Sequence, residues 1–201
     1  MQVKKDEMQE AILSAGLHLF LEKGYKQASI RMICKEAGTT LGNFYNYFES
    51  KGALFEALVK TEYQGIVYFI NHHNDIPPTE VPWDRLDQQT MQGLIKHMEG
   101  LLPPMTDRFL LLLAYSEGTP YEGMRQQLID MILAYQMEHM EGVGLDERDA
   151  GFADLLAHQL IDGFIHILKI GKDDEEKKYL VARYLLYMFY GVMGVINSAK
   201  Q

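Results

Sequence analysis

The sequence predicts an all-α fold of about nine helices, and two observations carry that reading. Apolar residues recur at helical spacing along most of the chain, and no stretch alternates with period two for long enough to propose a strand. Breaks rich in Gly and Pro cut the 201 residues into segments of helix length.

The segments follow in order. Met8, Ile12, Ala15 and Leu19 lie on one face of a first helix, with Leu13, Leu17 and Phe20 beside them. Gly24 ends it, where a left-handed C-cap residue belongs. Ser29 caps a second helix that turns Ile30, Ile33, Cys34 and Ala37 inward and stops at Gly38. Thr39 or Thr40 caps a third, Leu41–Phe48, and Ser50 caps a fourth that runs from Lys51 towards Asn71. His72 to Trp83, with Pro77-Pro78 and Pro82, reads as a loop. Later helices are expected over 84–100, 105–116, 120–141, 149–171 and 174–198. The run Phe109–Ala114 is apolar on all sides, as a buried helix is.

Composition bounds the function. At 47% hydrophobic residues the chain can bury a sizeable core. Net charge is −9, which taken globally argues against a nucleic-acid partner. The charge is uneven, however: residues 1–60 hold eight Lys/Arg and seven Asp/Glu, and residues 61–201 hold eleven and twenty-one. Salt screens charges beyond roughly 8–10 Å, so a duplex held by the first segment feels that segment most. The single cysteine, Cys34, permits no intrachain disulfide and suits a reducing cytoplasm. The opening residues lack a signal-peptide core. The longest uncharged run, Tyr184–Ala199, has sixteen residues, short of the roughly 20 that a membrane span needs. No phosphate-cradling Gly loop, Gly-x-Ser-x-Gly, His-Glu-x-x-His or reactive-cysteine setting marks an enzyme.

The segment Ser29–Phe48 gathers two short helices around a tight turn at Gly38. Phe44 and Phe48 share one face of the second helix, suited to packing on its neighbours. Asn43, Asn46 and Tyr47 point largely the other way, Tyr45 sits on the flank, and Gly42 leaves room for close approach. Asn can pair with a base edge, and Tyr hydroxyls bond phosphate oxygens. Free amides at the helix starts near Ser29 and Thr40 add phosphate sites.

The first sixty or so residues resemble the tetracycline-repressor (TetR) family of regulators. The likeness runs through Leu19-Phe20, Gly24-Tyr25, Ser29-Ile30, Ile33, Ala37-Gly38, Thr40–Tyr45, Tyr47-Phe48, Ser50-Lys51 and Leu54-Phe55. It implies a three-helix DNA-binding head over 1–60, with its helix-turn-helix at 29–48. The larger C-terminal helical bundle, 61–201, would bind a ligand and dimerise. By position, Thr39, Thr40, Asn43, Tyr45, Tyr47 and Lys51 look like phosphate contacts, and Leu41, Gly42 and Asn46 face the bases. Ala28 stands where a Thr is frequent, Leu41 where many members carry a polar or basic residue, and Gly52 where an acid is usual. The implied function is a cytoplasmic transcriptional regulator without cofactor, metal or membrane. It would be a homodimeric repressor released from a palindromic operator in double-stranded DNA by a small-molecule effector. A ligand-independent DNA-binding regulator, an activator and a helical enzyme are the alternatives.

Tyr184–Ile196 contains no charge and includes Gly191 and Gly194, which suits a dimer face formed by the last two helices. Tyr68, Phe109, Tyr115, Tyr135 and Phe164 are the leading candidates for an effector pocket, since Tyr adds a polar tip to an apolar lining. Glu99, Glu117, Glu122, Asp130 and Asp162 lie near them in sequence. They either favour a cationic ligand or are the solvated faces of amphipathic helices. His158, Asp162 and His166 recur every four residues on one helix. The stripe is a polar ridge unless another element completes a metal site, because positions i and i+8 lie about 12 Å apart along the axis.

Overall fold

The computed structural model describes residues 2–72, 88–102, 104–140 and 147–198. These residues form nine helices and no strand: α1 Gln2–Gln27, α2 Ile30–Glu36, α3 Leu41–Phe44, α4 Lys51–His72, α5 Gln88–Leu101, α6 Asp107–Ala114, α7 Met124–Met140, α8 Glu147–Ile170 and α9 Asp174–Ser198. Most of the expected loop from His72 to Trp83, with His73, lies outside the described residues.

Three boundaries differ most from the sequence reading, each for a local reason. Gly24 breaks α1 as expected, at φ 78° and ψ 158°, but one further turn follows to Gln27. An Ala28 N–H to Gly24 carbonyl bond of 3.2 Å closes that turn. The third helix is α-helical over only Leu41–Phe44 instead of Leu41–Phe48. Beyond Phe44 the chain tightens into i→i+3 bonds, from Asn46 N–H to Asn43 (3.1 Å) and from Tyr47 N–H to Phe44 (2.9 Å). Finally, α7 starts at Met124 rather than near 120. Before it, the buried Thr119 hydroxyl donates to the Ser116 carbonyl at 2.7 Å and accepts the Tyr121 N–H at 3.1 Å. Side chains that bond the nearby backbone in this way compete with the helix ladder. Gly118, at φ 82°, supplies the left-handed residue that this turn requires.

The helices pack as two compact units. The first comprises Met1–Asn71 and Asp107–Arg125, the second His72–Thr106 and Gln126–Gln201. In the first, α1 packs on α2 and α6. Its core includes Ile12, Phe20, Ile33, Phe44, Leu54, Phe55, Leu58, Leu111 and Leu112, all essentially inaccessible. Leu110–Leu113 are buried on every side of α6, as the apolar run predicts. Cys34 is buried too, and that burial pushes its thiol pKa up.

In the second unit α9 packs on both α5 and α8. Asp173 caps α9 by accepting the Glu176 N–H at 2.8 Å. The neighbouring Asp174 carboxylate accepts the Met105 N–H. Burial pushes the Asp174 pKa up, but that bond and Lys178 at 3.0 Å outweigh it, and the net shift is downward. Ala153, Ala157 and Ile161 of α8 are buried, as are Val181, Ala182 and Leu186 of α9. Gly163 lets a ring pass: the Tyr184 hydroxyl donates to the Gln159 carbonyl at 2.6 Å, and a Cβ on Gly163 would stand 2.2 Å from that hydroxyl.

Ala at position 163 would gain about 1 kcal/mol of helix propensity over Gly. It would also displace a rigid ring and break its hydrogen bond, at about 1–3 kcal/mol for overpacking. Gly163→Ala is therefore expected to lower the urea midpoint. An unchanged or raised midpoint would show that Tyr184 moves aside without cost.

Candidate nucleic-acid interface

The interface is built from hydroxyl caps on two short helices. Ser29, extended at φ −115° and ψ 150°, accepts the Met32 N–H at 3.3 Å and so starts α2. Gly38, at φ 66°, makes the turn between the helices, and the Thr39 N–H closes back to the Cys34 carbonyl at 2.9 Å. Thr40, not Thr39, caps α3, accepting the Asn43 N–H at 3.2 Å. Thr39 instead accepts a bond of 2.8 Å from the Asn43 side-chain amide. The Asn46 side-chain amide donates to the Asn43 side-chain oxygen, Oδ1, at 3.4 Å. Asn43 is therefore engaged between Thr39 and Asn46, half-buried, while Asn46 is exposed.

The two faces of α3 separate cleanly. Phe44 is fully buried, and its ring meets Phe48 at 5.9 Å and the edge of Tyr45 at 5.5 Å. On the other side Leu41 is 40% and Tyr45 51% exposed. A Cβ on Gly42 would meet nothing within 4 Å, so that surface is open to a partner. Ser29 and Thr40 are exposed beside their caps, and Tyr47 is half-buried. Ser50 caps α4 by accepting the Ala53 N–H at 3.0 Å.

Lys51 is placed differently from its neighbours. Its ammonium donates to the carbonyls of Tyr25 at 2.6 Å and Ala28 at 2.8 Å, and lies 4.3 Å from the Tyr25 ring centroid. Arg31 and Lys35, both exposed on α2, did not stand out in the sequence. Their spacing of four on the helix before the Gly38 turn is the signal that could have found them.

The effector candidates divide between the units. Tyr68, 66% exposed, and the half-buried Phe109 and Tyr115 belong to the first. Tyr135, 43% exposed, and the half-buried Phe164 belong to the second. Of the acids near them, Glu117, Glu122, Asp130 and Asp162 are exposed. Glu117 pairs with Lys26 at 2.6 Å, Glu122 accepts the Gly118 N–H at 2.8 Å, and Asp130 accepts from Gln126 at 2.8 Å. This placement fits solvated faces better than a cation site. In the histidine stripe, the His158 ring lies 3.0 Å from its own helix's Asp154 carbonyl, and Asp162 and His166 are exposed. Among the described residues no three His, Cys, Asp or Glu side chains stand close enough to hold an ion. Nor is any described helix long and apolar enough to cross a membrane.

Residues 12–58, which carry the caps, the turn and α3, match the sequence model of the bacterial regulatory proteins of the tetR family. The likeness to that family rests on this segment. The chain is 49% identical over 51 residues to the HTH-type transcriptional regulator YvdT of Bacillus subtilis strain 168, covering 25% of this chain and 26% of that protein. It is 36% identical over 59 residues to the HTH-type transcriptional regulator UidR of Escherichia coli K12, covering 29% and 30%. The matches thus span between a quarter and a third of these relatives. The fold likeness is broader. A TetR family transcriptional regulator from Chloroflexus aurantiacus J-10-FL superposes with a TM-score of 0.52 at 16% identity, over 96% of this chain and 92% of that one.

Proposed function

We propose that this chain is a TetR-family, sequence-specific DNA-binding transcriptional regulator of the cytoplasm, not an enzyme. It acts as a homodimeric repressor that a small-molecule effector releases from a palindromic operator. The observation that carries the reading is the two-faced α3: Phe44 is fully buried, while Leu41, Gly42, Tyr45 and Asn46 stand exposed opposite it. Asn46 reads a base edge, and Leu41 and Gly42 lie against the bases. Ser29, Thr39, Thr40, Asn43, Tyr45 and Tyr47 hold phosphates or the side chains that do. Arg31 and Lys35 add charge to the same helix pair.

A palindrome asks for two copies. On α9, Tyr179 and Tyr187 are 41% and 73% exposed, with exposed Arg183 between them at the same spacing. They form a stripe that a second copy covers. The side chains of residues 192–198, which include Gly194 and Val195, lie outside the described residues.

The effector acts on half-site geometry. Two recognition helices must meet successive major grooves, about 34–36 Å apart for half-sites one turn apart. The head is tied to more than α4. Within the first unit Lys26 pairs with Glu117, and the Tyr121 ring packs on Phe55 and Tyr63 with centroids 6.1 and 5.0 Å away. An effector held by Tyr68, Phe109 and Tyr115, all of the first unit, can therefore pull on the head through α4 and through residues 116–123. A 100-fold preference for the released state supplies about 2.7 kcal/mol of coupling.

Selection from random duplexes should return a palindrome. On it, Asn46→Ala should cost about 1–3 kcal/mol and relax preference at one base pair per half-site. No selected sequence, or an Asn46→Ala variant with unchanged preference, removes the assignment. In sedimentation, Tyr187→Glu should shift the chain from dimer to monomer, whereas a monomeric wild type at micromolar concentration sinks the dimer. A small molecule that lowers operator affinity in a compound screen is expected, and Tyr115→Ala or Phe109→Ala should blunt its effect. Indifference of the bound operator to every compound, including those of neighbouring metabolic genes, would leave the ligand-independent regulator.

A further inference from the structure

The first turn of a helix is the wrong end for a cation, because the macrodipole is positive there. Lys51 is nevertheless the first residue of α4, whose first turn holds no acid. Its ammonium reaches back to the Tyr25 and Ala28 carbonyls, at 2.6 and 2.8 Å. Tyr25 lies in the last turn of α1 and Ala28 in the connection just before the Ser29 cap. Carbonyls at a helix end lack partners in the ladder and sit at the negative end of the dipole, which suits a cation. Two of the three ammonium donors are thus spent on backbone. The Tyr25 ring, 4.3 Å away, adds a cation–π contact, and burial lowers the Lys51 pKa. Gly52 belongs to the same arrangement: a Cβ there would touch the Tyr25 hydroxyl at 3.5 Å, so that hydroxyl reaches over the start of α4.

Resting on the DNA-binding reading above, we propose that Lys51 is a positioning residue, a staple between the α1–α2 connection and α4, and that it neutralises no phosphate. The staple fixes where α2 begins. Because α2 packs on α3, it also fixes how α3 is presented. Its loss lets the pair α2–α3 shift against α1 and α4.

The staple and a phosphate contact differ in their dependence on salt. Each lost phosphate contact shallows the plot of log K against log salt by about 0.9. The full-length chain carrying Lys51→Met, which keeps the stem and loses the donors, should bind the wild-type-selected duplex roughly tenfold more weakly at every salt concentration, with a parallel slope. Its melting temperature without DNA should fall, and Lys51→Arg, which can donate to both carbonyls and stack on Tyr25, should recover much of both losses. A slope shallower by about one, or a wild-type melting temperature in Lys51→Met, overturns the proposal. Lys51→Gln keeps N–H donors without charge and covers the case of a Met variant too unstable to assay. A parallel slope then supports the staple, and a shallower one overturns it. The melting measurement needs no DNA, so a wild type that selects no duplex removes the regulator reading and leaves the staple independently tested.

Discussion

A helix of four residues cannot hold itself together, since nucleating one fixes several dihedrals for a single hydrogen bond. α3 has that length, so its existence depends on burial of the Phe44 ring. Phe44 is wholly inaccessible and meets Phe48, itself buried. The anchor fixes the rotation of α3 about its axis, and that rotation alone decides that Leu41, Tyr45 and Asn46 face outward. The Thr40 cap and the tightened turn after Phe44 satisfy the remaining backbone groups. On the proposed reading, recognition therefore rests on a ring that never meets DNA.

The same logic extends along the first unit. Phe20, Tyr25 and Phe55 meet pairwise with centroids 5.3–5.6 Å apart. Phe55 passes the series on to Tyr121 and Tyr63. Burial, with Glu56 and Tyr63 nearby, raises the Tyr121 pKa. At the edge, the pair between Lys26 and Glu117 raises the lysine and lowers the carboxylate. The contribution of Glu117 is thus present above its ordinary carboxylate range and lost as pH falls from there through its lowered folded value. Both groups face solvent, where an ion pair contributes little, so the aromatic contacts carry most of the hold on residues 116–123.

Much of this was legible in the sequence. Caps and apolar spacing placed α2, α4 and α9 almost to the residue, because Ser29, Ser50 and Gly171 to Asp173 act locally. Burial of Phe44 and exposure of Asn46 followed from their positions on one short helix. What could not be read is which partner a polar side chain takes. Asn43 is turned to Thr39, and Lys51 to carbonyls 26 and 23 positions away. Neither choice of partner leaves a periodic trace. The start of α7 was missed because Thr119 and Ser116 spend their hydroxyls on the turn, a competition that propensity does not register.

The first unit is assembled from two stretches of chain, Met1–Asn71 and Asp107–Arg125, with 35 residues of the other unit between them. A ribosome releases the chain in order, so α1 to α4 emerge well before α6, whose Leu110–Leu113 supply part of their core. Until α6 arrives, the nascent segment has its reading helix but lacks the leucines that pack with α1. Synthesis thus runs well past the helix-turn-helix before the packing around it is complete.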